Sequence, residues 1–320
     1  MGILNHNHHK EADPMENNIT MKDVRFINKD HDMAGNLFLP EDYSETGSYA
    51  AIVVSHPGTS CKEQTSGLYA KQLAERGFVT IAYDSSYRSE SGGTPRGIED
   101  APSRVEDISA VIDYLVTVPG VDAERIGALG ICAGGGFTLN CALTDKRIKA
   151  VGTVSGGDMG RTFRAYGAAK AIEMLTMLGR LRSQEMITGN LQLEPIVSHG
   201  TEGITDPDLL DSNEYYFTDR AYSDNSLKER RNSMSTKTFV FDSLHFCEEF
   251  LDQPLQIIVP EVRGAFGSHD FGYEVMERAA SKDKNILEIK GARHFDLYDK
   301  PEYLAQTVPC LTKFFHRIIG

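Results

Sequence analysis

Short apolar runs alternate with amphipathic stretches along most of the chain, and this pattern predicts an α/β protein. Residues 50–55 (AAIVVS) and 125–131 (RIGALGI) are almost continuously apolar, as strands buried inside a parallel sheet are. Residues 105–116 have the spacing of apolar side chains that is typical of an amphipathic helix. We therefore predict a mostly parallel central sheet with helices on both faces.

The regular alternation weakens between Gly156 and Asp252, where the sequence is polar and irregular. This change predicts an inserted cap over residues 156–252, with a core built from residues 22–155 and 253–320. Residues 1–21 precede the first regular pattern, and residues 1–14 include the histidine-rich run NHNHH. We interpret residues 1–21 as an added tag or a disordered leader rather than a metal site.

The charge balance argues against two classes of partner. Lys and Arg number 33 against 46 Asp and Glu, which gives a net charge of −13. An acidic surface disfavours nucleic acids and anionic membranes, and no apolar run reaches the roughly 18 residues that span a bilayer. We expect a small-molecule substrate and no nucleic-acid or membrane partner. A homodimer is possible on these observations.

The cysteines argue against a disulfide framework. Their number is odd and no C-x-x-C pair occurs, which also disfavours a zinc ribbon. We expect a reducing, cytoplasmic location, no metal and no organic cofactor. The five cysteines are Cys61, Cys132, Cys141, Cys247 and Cys310.

The segment RIGALGICAGGGFTLN at residues 125–140 carries the strongest chemical signal. A buried strand leads into Gly130-Ile131-Cys132-Ala133-Gly134 and a helix follows at once, which is the nucleophile elbow G-x-S-x-G with Cys in place of Ser. A thiolate at Cys132 and an oxyanion at the Ala133 N–H are both favoured at a helix N-terminus. The alternatives are a structural cysteine in a glycine-rich turn, or a dinucleotide loop, whose G-x-G-x-x-G spacing is absent here.

The general base is predicted to be His294, in the late segment GARHFDLYD. It follows the last predicted strand, where nucleophile-elbow enzymes carry their histidine after the nucleophile in chain order. The alternative is a histidine in a surface loop without a catalytic role.

Together, the segments HPGTSCKEQTSGLYA, AYDSSYRSESGG, RIGALGICAGGG and GARHFDLYD resemble the α/β-hydrolase superfamily. The nearest branch resembles dienelactone-hydrolase-like bacterial proteins, also described as Xaa-Pro-dipeptidyl-peptidase-like, over about residues 24–320 except the variable middle. The resemblance implies a functional Cys nucleophile and a second oxyanion donor from the backbone of Gly58 or Thr59. It also implies a glutamate near the thiol, for which Glu63 is the candidate.

The acid of the expected triad is where the sequence departs from the superfamily pattern. That acid normally follows the strand before the last, here residues 255–259, and no aspartate stands there. Glu261 is close to this place, Asp270 is several residues late, and Asp158 follows the strand that ends at Ser155. The sequence does not decide among these three carboxylates and a site that has no acid.

The predicted function is hydrolysis of an ester, thioester or lactone through an acyl-Cys132 intermediate. The alternative is a ligand-binding protein that kept the fold and lost turnover, which the missing acid would explain.

Overall fold

A computed structural model describes residues 18–197 and 200–320. The histidine-rich run lies outside the described residues. The predicted boundary of the leader at residue 21 needs a correction, because strand β1 already begins at Thr20 and pairs with β2 from its first residue. Thr20 and Met21 therefore belong to the first hairpin of the sheet.

Eight strands form the central sheet in the order β1-β2-β4-β3-β5-β6-β9-β10. Strand β2 is antiparallel to both of its neighbours, and the other pairs are parallel, which confirms the mostly parallel sheet. A separate two-stranded ladder pairs β7 with β8. The strands are β1 Thr20–Asn28, β2 His31–Leu39, β3 Tyr49–Ser55, β4 Val79–Tyr83, β5 Val121–Ile131, β6 Ile148–Val154, β7 Glu194–Pro195, β8 Glu229–Arg230, β9 Leu255–Pro260 and β10 Lys284–Ile289.

Helices cover both faces of the sheet, as the alternation of strands and helices predicts. The helices are α1 Thr65–Ala74, α2 Ala101–Leu115, α3 Ala133–Thr144, α4 Met159–Arg164, α5 Ala168–Thr188, α6 Pro207–Phe217, α7 Cys247–Phe250, α8 Ser268–Arg278, α9 Asp296–Asp299 and α10 Pro301–Ile319. One buried cluster joins the sheet to α2, α3 and α8, and a second joins it to α1 and α10. The two clusters are the apolar cores on opposite faces of one sheet.

Residues 156–252, which we call the middle segment, lie between β6 and β9 in the chain. Their described part contributes helices α4 to α7, two short 3-10 turns and the β7–β8 ladder, and no strand of the central sheet. Helix α5 is largely exposed, with only Leu178 and Glu185 buried along it. Among the described residues, no helix is both long and apolar enough to cross a membrane.

Candidate active site

Cys132 occupies the tight turn between β5 and α3, as the glycine pattern predicts. Its backbone angles are φ 54° and ψ −124°, a strained combination for a residue with a side chain, and such strain concentrates at functional sites. The turn needs glycine on both sides of the thiol. A Cβ at Gly130 would lie 2.3 Å from the Gly134 carbonyl oxygen, and one at Gly134 would lie 2.4 Å from the Ser55 carbonyl oxygen. The elbow therefore holds the thiol at the N-terminus of α3.

His294 lies on the loop after β10 and reaches the thiol. Its side chain is buried beside the Cys132 thiol, whose pKa both His294 and Tyr298 lower. The His294 Nε2 atom is 3.0 Å from the Tyr298 hydroxyl oxygen, and its Nδ1 atom is 3.0 Å from the Ser268 Oγ atom. The ring also packs edge-on against Phe266, with 5.1 Å between ring centroids. The imidazole is thus held on both nitrogens and one face.

The electrostatics of the site favour the thiolate of Cys132. Burial by itself would raise the pKa of this thiol, but the charge of His294 and hydrogen bonds from His294, Tyr298 and the Ala133 N–H together lower it. Burial raises the pKa of Tyr298 well above its usual range, so its hydroxyl stays protonated and can donate to the sulfur. Since the thiolate is the nucleophile, this environment activates Cys132.

The other four thiols are placed differently. Burial raises the pKa of each, to about 12 for three of them. These three are Cys61, Cys141 and Cys247, and the fourth is Cys310. Of the five cysteines, only Cys132 combines a lowered pKa with a place in the cavity.

The predicted oxyanion donors line the same cavity as the thiol. Gly58, Thr59, Cys132 and Ala133 are all in its wall. Within the described chain, neither the Gly58 nor the Thr59 N–H donates to another protein group. A Cβ at Gly58 would come within 3.8 Å of the Ala133 Cβ, which shows how closely this loop approaches the elbow. Backbone N–H groups from both segments are therefore available to an oxyanion.

A buried ion triad fixes the loop that carries Gly58 and Thr59. The Glu99 carboxylate accepts from both Arg88 and Arg104. Arg104 also donates to the His56 carbonyl oxygen at 2.6 Å, and Arg88 donates to the Ser60 carbonyl oxygen at 2.9 Å. Because all three charged side chains are buried, both ends of the loop are held by guanidinium groups that are themselves paired.

The structure does not bring Asp158 to His294, so this predicted contact is corrected. Asp158 caps the start of α4 by accepting from the Arg161 N–H at 3.0 Å. Its second oxygen accepts from the Ser243 N–H at 2.8 Å and from the Ser243 hydroxyl at 3.0 Å. The carboxylate borders the cavity, but the helix start and the Ser243 turn use its oxygens.

The other predicted carboxylates are not partners of His294 either. Glu261 accepts from the Gly291 N–H at 2.7 Å and from Lys290, and so fastens the start of the loop that carries His294. Asp270 is exposed and pairs with Arg263. Glu63 pairs with Lys62 and lines a different cleft from the one that contains Cys132. Glu261, Asp270 and Glu63 thus each pair with a nearby cation rather than with His294.

Two residues of the site were absent from the sequence prediction. Ser268 begins α8 in the loop after β9, which is where the superfamily places its acid. Its hydroxyl takes the Nδ1 contact that a carboxylate was expected to make. Tyr298 stands four residues after His294, and this spacing on a short helical turn was the signal that could have placed it beside the imidazole.

The cavity above Cys132 has a volume of about 230 Å³ and a mostly apolar wall. The α/β core contributes Cys132 and His294 to this cavity. The middle segment contributes further lining side chains, including Arg230. Its large apolar lining residues are Pro57, Met159, Phe163, Ile196, Val197, Phe266 and Phe295. A concave apolar site with a few convergent polar groups is typical of a small-molecule site.

Comparisons with known proteins agree with this geometry. The PET hydrolase-like family matches residues 18–173. The uncharacterized protein YcjY of Escherichia coli K12 is 40% identical, over 92% of this chain and 98% of its own. PA2218 of Pseudomonas aeruginosa PAO1 is 34% identical, over 90% of this chain and 78% of its own. The crystal structure of PA2218 superposes with a TM-score of 0.85 at 31% identity and covers 95% of both chains.

A more distant relative is named for its activity. The thiohydrolase aneE of Aspergillus aculeatus is 28% identical over 41% of this chain and 40% of its own, so the chain spans less than half of that relative.

The fold, the elbow and these matches define an enzyme of the α/β-hydrolase class with esterase-like or related hydrolase activity. The chain belongs to the family within this superfamily that includes YcjY and PA2218. The nearer assignment to dienelactone-hydrolase-like proteins stays a prediction, because the family that matches is PET hydrolase-like.

Proposed function

We propose that the chain hydrolyses thioesters through an acyl-Cys132 intermediate. The single observation that carries this proposal is the Cys132 thiol: it lies on the strained elbow, His294 and Tyr298 lower its pKa, and burial raises the pKa of the other four thiols. An activated thiolate at the mouth of an oxyanion site is the arrangement that acyl transfer to cysteine requires.

In the first step the Cys132 thiolate attacks the thioester carbonyl and a C–S bond forms. The carbonyl electrons move to oxygen, and the N–H groups of Ala133 and of Gly58 or Thr59 stabilise the oxyanion. The oxyanion then collapses, the bond to the leaving thiol breaks, and protonated His294 gives that sulfur its proton. The first product is a free thiol.

In the second step water releases the acyl group. Neutral His294 takes a proton from water, and the oxygen attacks the acyl-Cys132 carbonyl. Collapse of the second oxyanion breaks the C–S bond, which frees a carboxylic acid and restores the Cys132 thiolate beside protonated His294. The cycle consumes one water, and the groups that form bonds or exchange protons in it all line the cavity.

Ser268 is a positioning residue in this scheme. Its hydroxyl oxygen can accept a hydrogen bond from the His294 Nδ1–H, so that Nε2, 3.0 Å from the Tyr298 hydroxyl oxygen, is the nitrogen left to exchange protons. A hydroxyl fixes the ring as a carboxylate does, but it adds no negative charge to stabilise the imidazolium. A thiolate–imidazolium pair depends less on that charge than a serine nucleophile does, because the thiol is far more acidic than an alcohol.

Replacing Ser268 with alanine is expected to lower kcat/KM about tenfold, the value of one buried hydrogen bond to an ionised group. The loss should fall on kcat, and the pH profile should shift, because the orientation of His294 is what changes. Steady-state kinetics across pH measure both. Ser281→Ala is the matched control, since Ser281 and Ser268 are both 4% exposed and the Ser281 hydroxyl donates to the Asp283 carbonyl oxygen instead of contacting His294. Equal losses in the two variants would make Ser268 merely structural.

The leaving group distinguishes thioesters from alkyl esters. A tetrahedral intermediate expels its more stable anion, and a thiolate leaves more readily than an alkoxide. Attack by Cys132 on an alkyl ester would therefore mostly revert, whereas a thioester offers two sulfur leaving groups of similar stability. The distant relative aneE is named a thiohydrolase, which supports the same substrate class.

We expect the enzyme to prefer a thioester over the alkyl ester of the same acyl group by at least about tenfold in kcat/KM, for the leaving-group reason given above. Paired substrates with butyryl, hexanoyl and octanoyl groups measure this preference. Cys132→Ser is the informative variant, and any turnover it keeps should show a smaller thioester preference. In its reaction with an alkyl ester, the serine alkoxide and the substrate alkoxide are leaving groups of similar stability, so the alkyl ester no longer mostly reverts. An unchanged preference in Cys132→Ser would mean that another group attacks the carbonyl.

We also propose that the middle segment acts as a cap that selects the acyl group. Met159 and Phe163 of α4, Ile196 after β7 and Tyr216 of α6 all line the cavity that holds the thiol. Their side chains are apolar or aromatic, so they suit an acyl chain rather than a charged or heavily hydroxylated one. The substrate pairs above test this role when they are repeated with Phe163→Ala, which should change the ranking of the three acyl groups.

A further inference from the structure

One cationic side chain stands in the otherwise apolar wall of the cavity. Arg230, on β8 of the middle segment, is the only Lys or Arg among the described lining residues. The one lining carboxylate, Asp158, has its oxygens occupied by the Arg161 N–H and by Ser243. The mechanism proposed above gives Arg230 no task, so its place in the wall needs another explanation.

The surroundings of Arg230 hold its guanidinium but do not neutralise it. Its Nε–H donates to the Asn232 Oδ1 atom, and Asn232 is itself held by Glu194. The guanidinium carbon lies 5.7 Å from the centre of the Phe163 ring. Among the described residues, no carboxylate oxygen comes within 4.0 Å of this guanidinium, and Nη1 and Nη2 have no protein acceptor. Four N–H donors therefore remain for a ligand.

The cation is costly to keep in this place without a ligand. Burial lowers the pKa of Arg230 despite the attraction of Glu99 and Glu194, although an arginine stays charged at any physiological pH. A partly buried charge that lacks a counter-ion is unfavourable until an anion supplies one. The chain as a whole carries a charge of −13, so an anionic substrate would be repelled without such a local cation.

We infer that Arg230 binds an oxyanion of the substrate, either a carboxylate at the far end of the acyl group or a phosphate on the thiol leaving group. This inference rests on the proposed function and names its substrate class. Carboxylate and phosphate share the geometry that a guanidinium fork recognises with two parallel hydrogen bonds. The apolar residues of the wall would then contact the chain that joins the thioester to the anionic group.

Matched substrates test the acyl end. N-acetylcysteamine thioesters of butyrate and succinate, hexanoate and adipate, or octanoate and suberate differ at the chain end by methyl against carboxylate. Arg230→Met should lower kcat/KM for the carboxylate member of the best pair about 10- to 100-fold, the range of a hydrogen bond between charged groups, and leave the methyl member within about twofold. Arg230→Lys should keep part of the discrimination, because it keeps the charge and loses the fork.

A second pair of substrates tests the leaving group. The coenzyme A and N-acetylcysteamine thioesters of one neutral acyl group differ in the phosphates of the leaving thiol. A selective loss with the coenzyme A thioester in Arg230→Met would place the oxyanion on the leaving group, and a selective loss with the chain-end carboxylate would place it on the acyl group. Either result supports the inference. Equal changes for charged and neutral substrates would overturn it.

Arg180→Met is the matched control, because Arg180 is an exposed arginine on α5 of the same segment and lies outside the cavity.

A binding measurement separates this inference from the proposed function. Calorimetric titration of Cys132→Ala with suberate, with coenzyme A and with the neutral octanamide needs no turnover, and adding Arg230→Met should weaken the binding of suberate or of coenzyme A about 10-fold or more and that of octanamide much less. If binding of neither suberate nor coenzyme A depends on Arg230, the inference fails even when the enzyme hydrolyses thioesters. If the dependence is found without turnover, the proposed function fails instead.

Discussion

Replacing Cys132 with alanine is expected to lower kcat/KM for a thioester by at least about 1,000-fold, because the variant has no atom that can form the acyl intermediate. The protein should stay folded, since alanine fits the space of the thiol and Gly130 and Gly134 still form the turn. Steady-state hydrolysis of an octanoyl thioester measures the loss, and circular dichroism and thermal unfolding report the fold.

Cys310→Ala is the control for the Cys132 variant. Cys310 lies on α10, is only partly buried and has a raised pKa, so its loss should leave the rate within about twofold, as for a substitution away from the site. Turnover by Cys132→Ala at near the rate of the unaltered enzyme would contradict the assignment of the nucleophile. So would an equal loss in the two variants.

Replacing His294 with alanine is expected to have the second largest effect, about 10²- to 10⁴-fold in kcat/KM, the usual contribution of general acid–base catalysis. The same change should move the titration of the thiol. His294 supplies the charge and one of the hydrogen bonds that lower the pKa of Cys132, against the opposing effect of burial. Without the imidazole the thiolate should form only at higher pH, so alkylation of Cys132 by iodoacetamide should rise at a higher pH than in the unaltered protein.

His269→Ala is the control for the His294 variant. His269 is also a buried histidine, but it contacts Asp270 and Glu288 outside the cavity of the thiol. Its replacement should leave the alkylation profile of Cys132 in place. If the pH dependence of alkylation is the same with and without His294, the imidazole does not activate the thiol, and the mechanism proposed for both steps is untenable.

The sequence predicted those parts of the molecule that local pattern controls. Glycine at positions 130 and 134 predicts the elbow, because any side chain there would collide with the backbone of the facing turn. Continuous apolar runs predict β3, β5 and β9, which are buried in the middle of the sheet. The position of His294 after the last strand predicts that it meets Cys132, because the ends of parallel strands converge at one edge of a sheet.

The contacts of the carboxylates could not be predicted in the same way. Asp158 follows its strand at the right edge of the sheet, but a helix begins one residue later and takes the carboxylate as its cap. Glu261 lies beside the loop of His294, but its carboxylate oxygens contact the Gly291 N–H and Lys290. Competition among local hydrogen-bond partners decides such cases, and a linear pattern does not record it.

Ser268 and Tyr298, the two site residues that the sequence did not predict, illustrate the same limit. Ser268 makes the Nδ1 contact only because the loop after β9 carries it to the face of His294, and one serine among many gives no signal in the sequence. Tyr298 is oriented by α9, whose four residues are too few for a periodic pattern, so that only its spacing of four residues from His294 pointed to it.

The central claim is that an acyl group is bonded to Cys132 during turnover, and trapping that intermediate tests it most directly. The enzyme would be mixed with an excess of octanoyl thioester, quenched in acid within the first turnovers, digested and mapped by mass spectrometry. The account predicts one octanoyl group on the peptide that contains Cys132, its absence in Cys132→Ala, and its accumulation in a His294 variant that slows attack by water. Hydrolysis without any acyl adduct, or an adduct on Cys61 or another residue while Cys132 stays free, would contradict it.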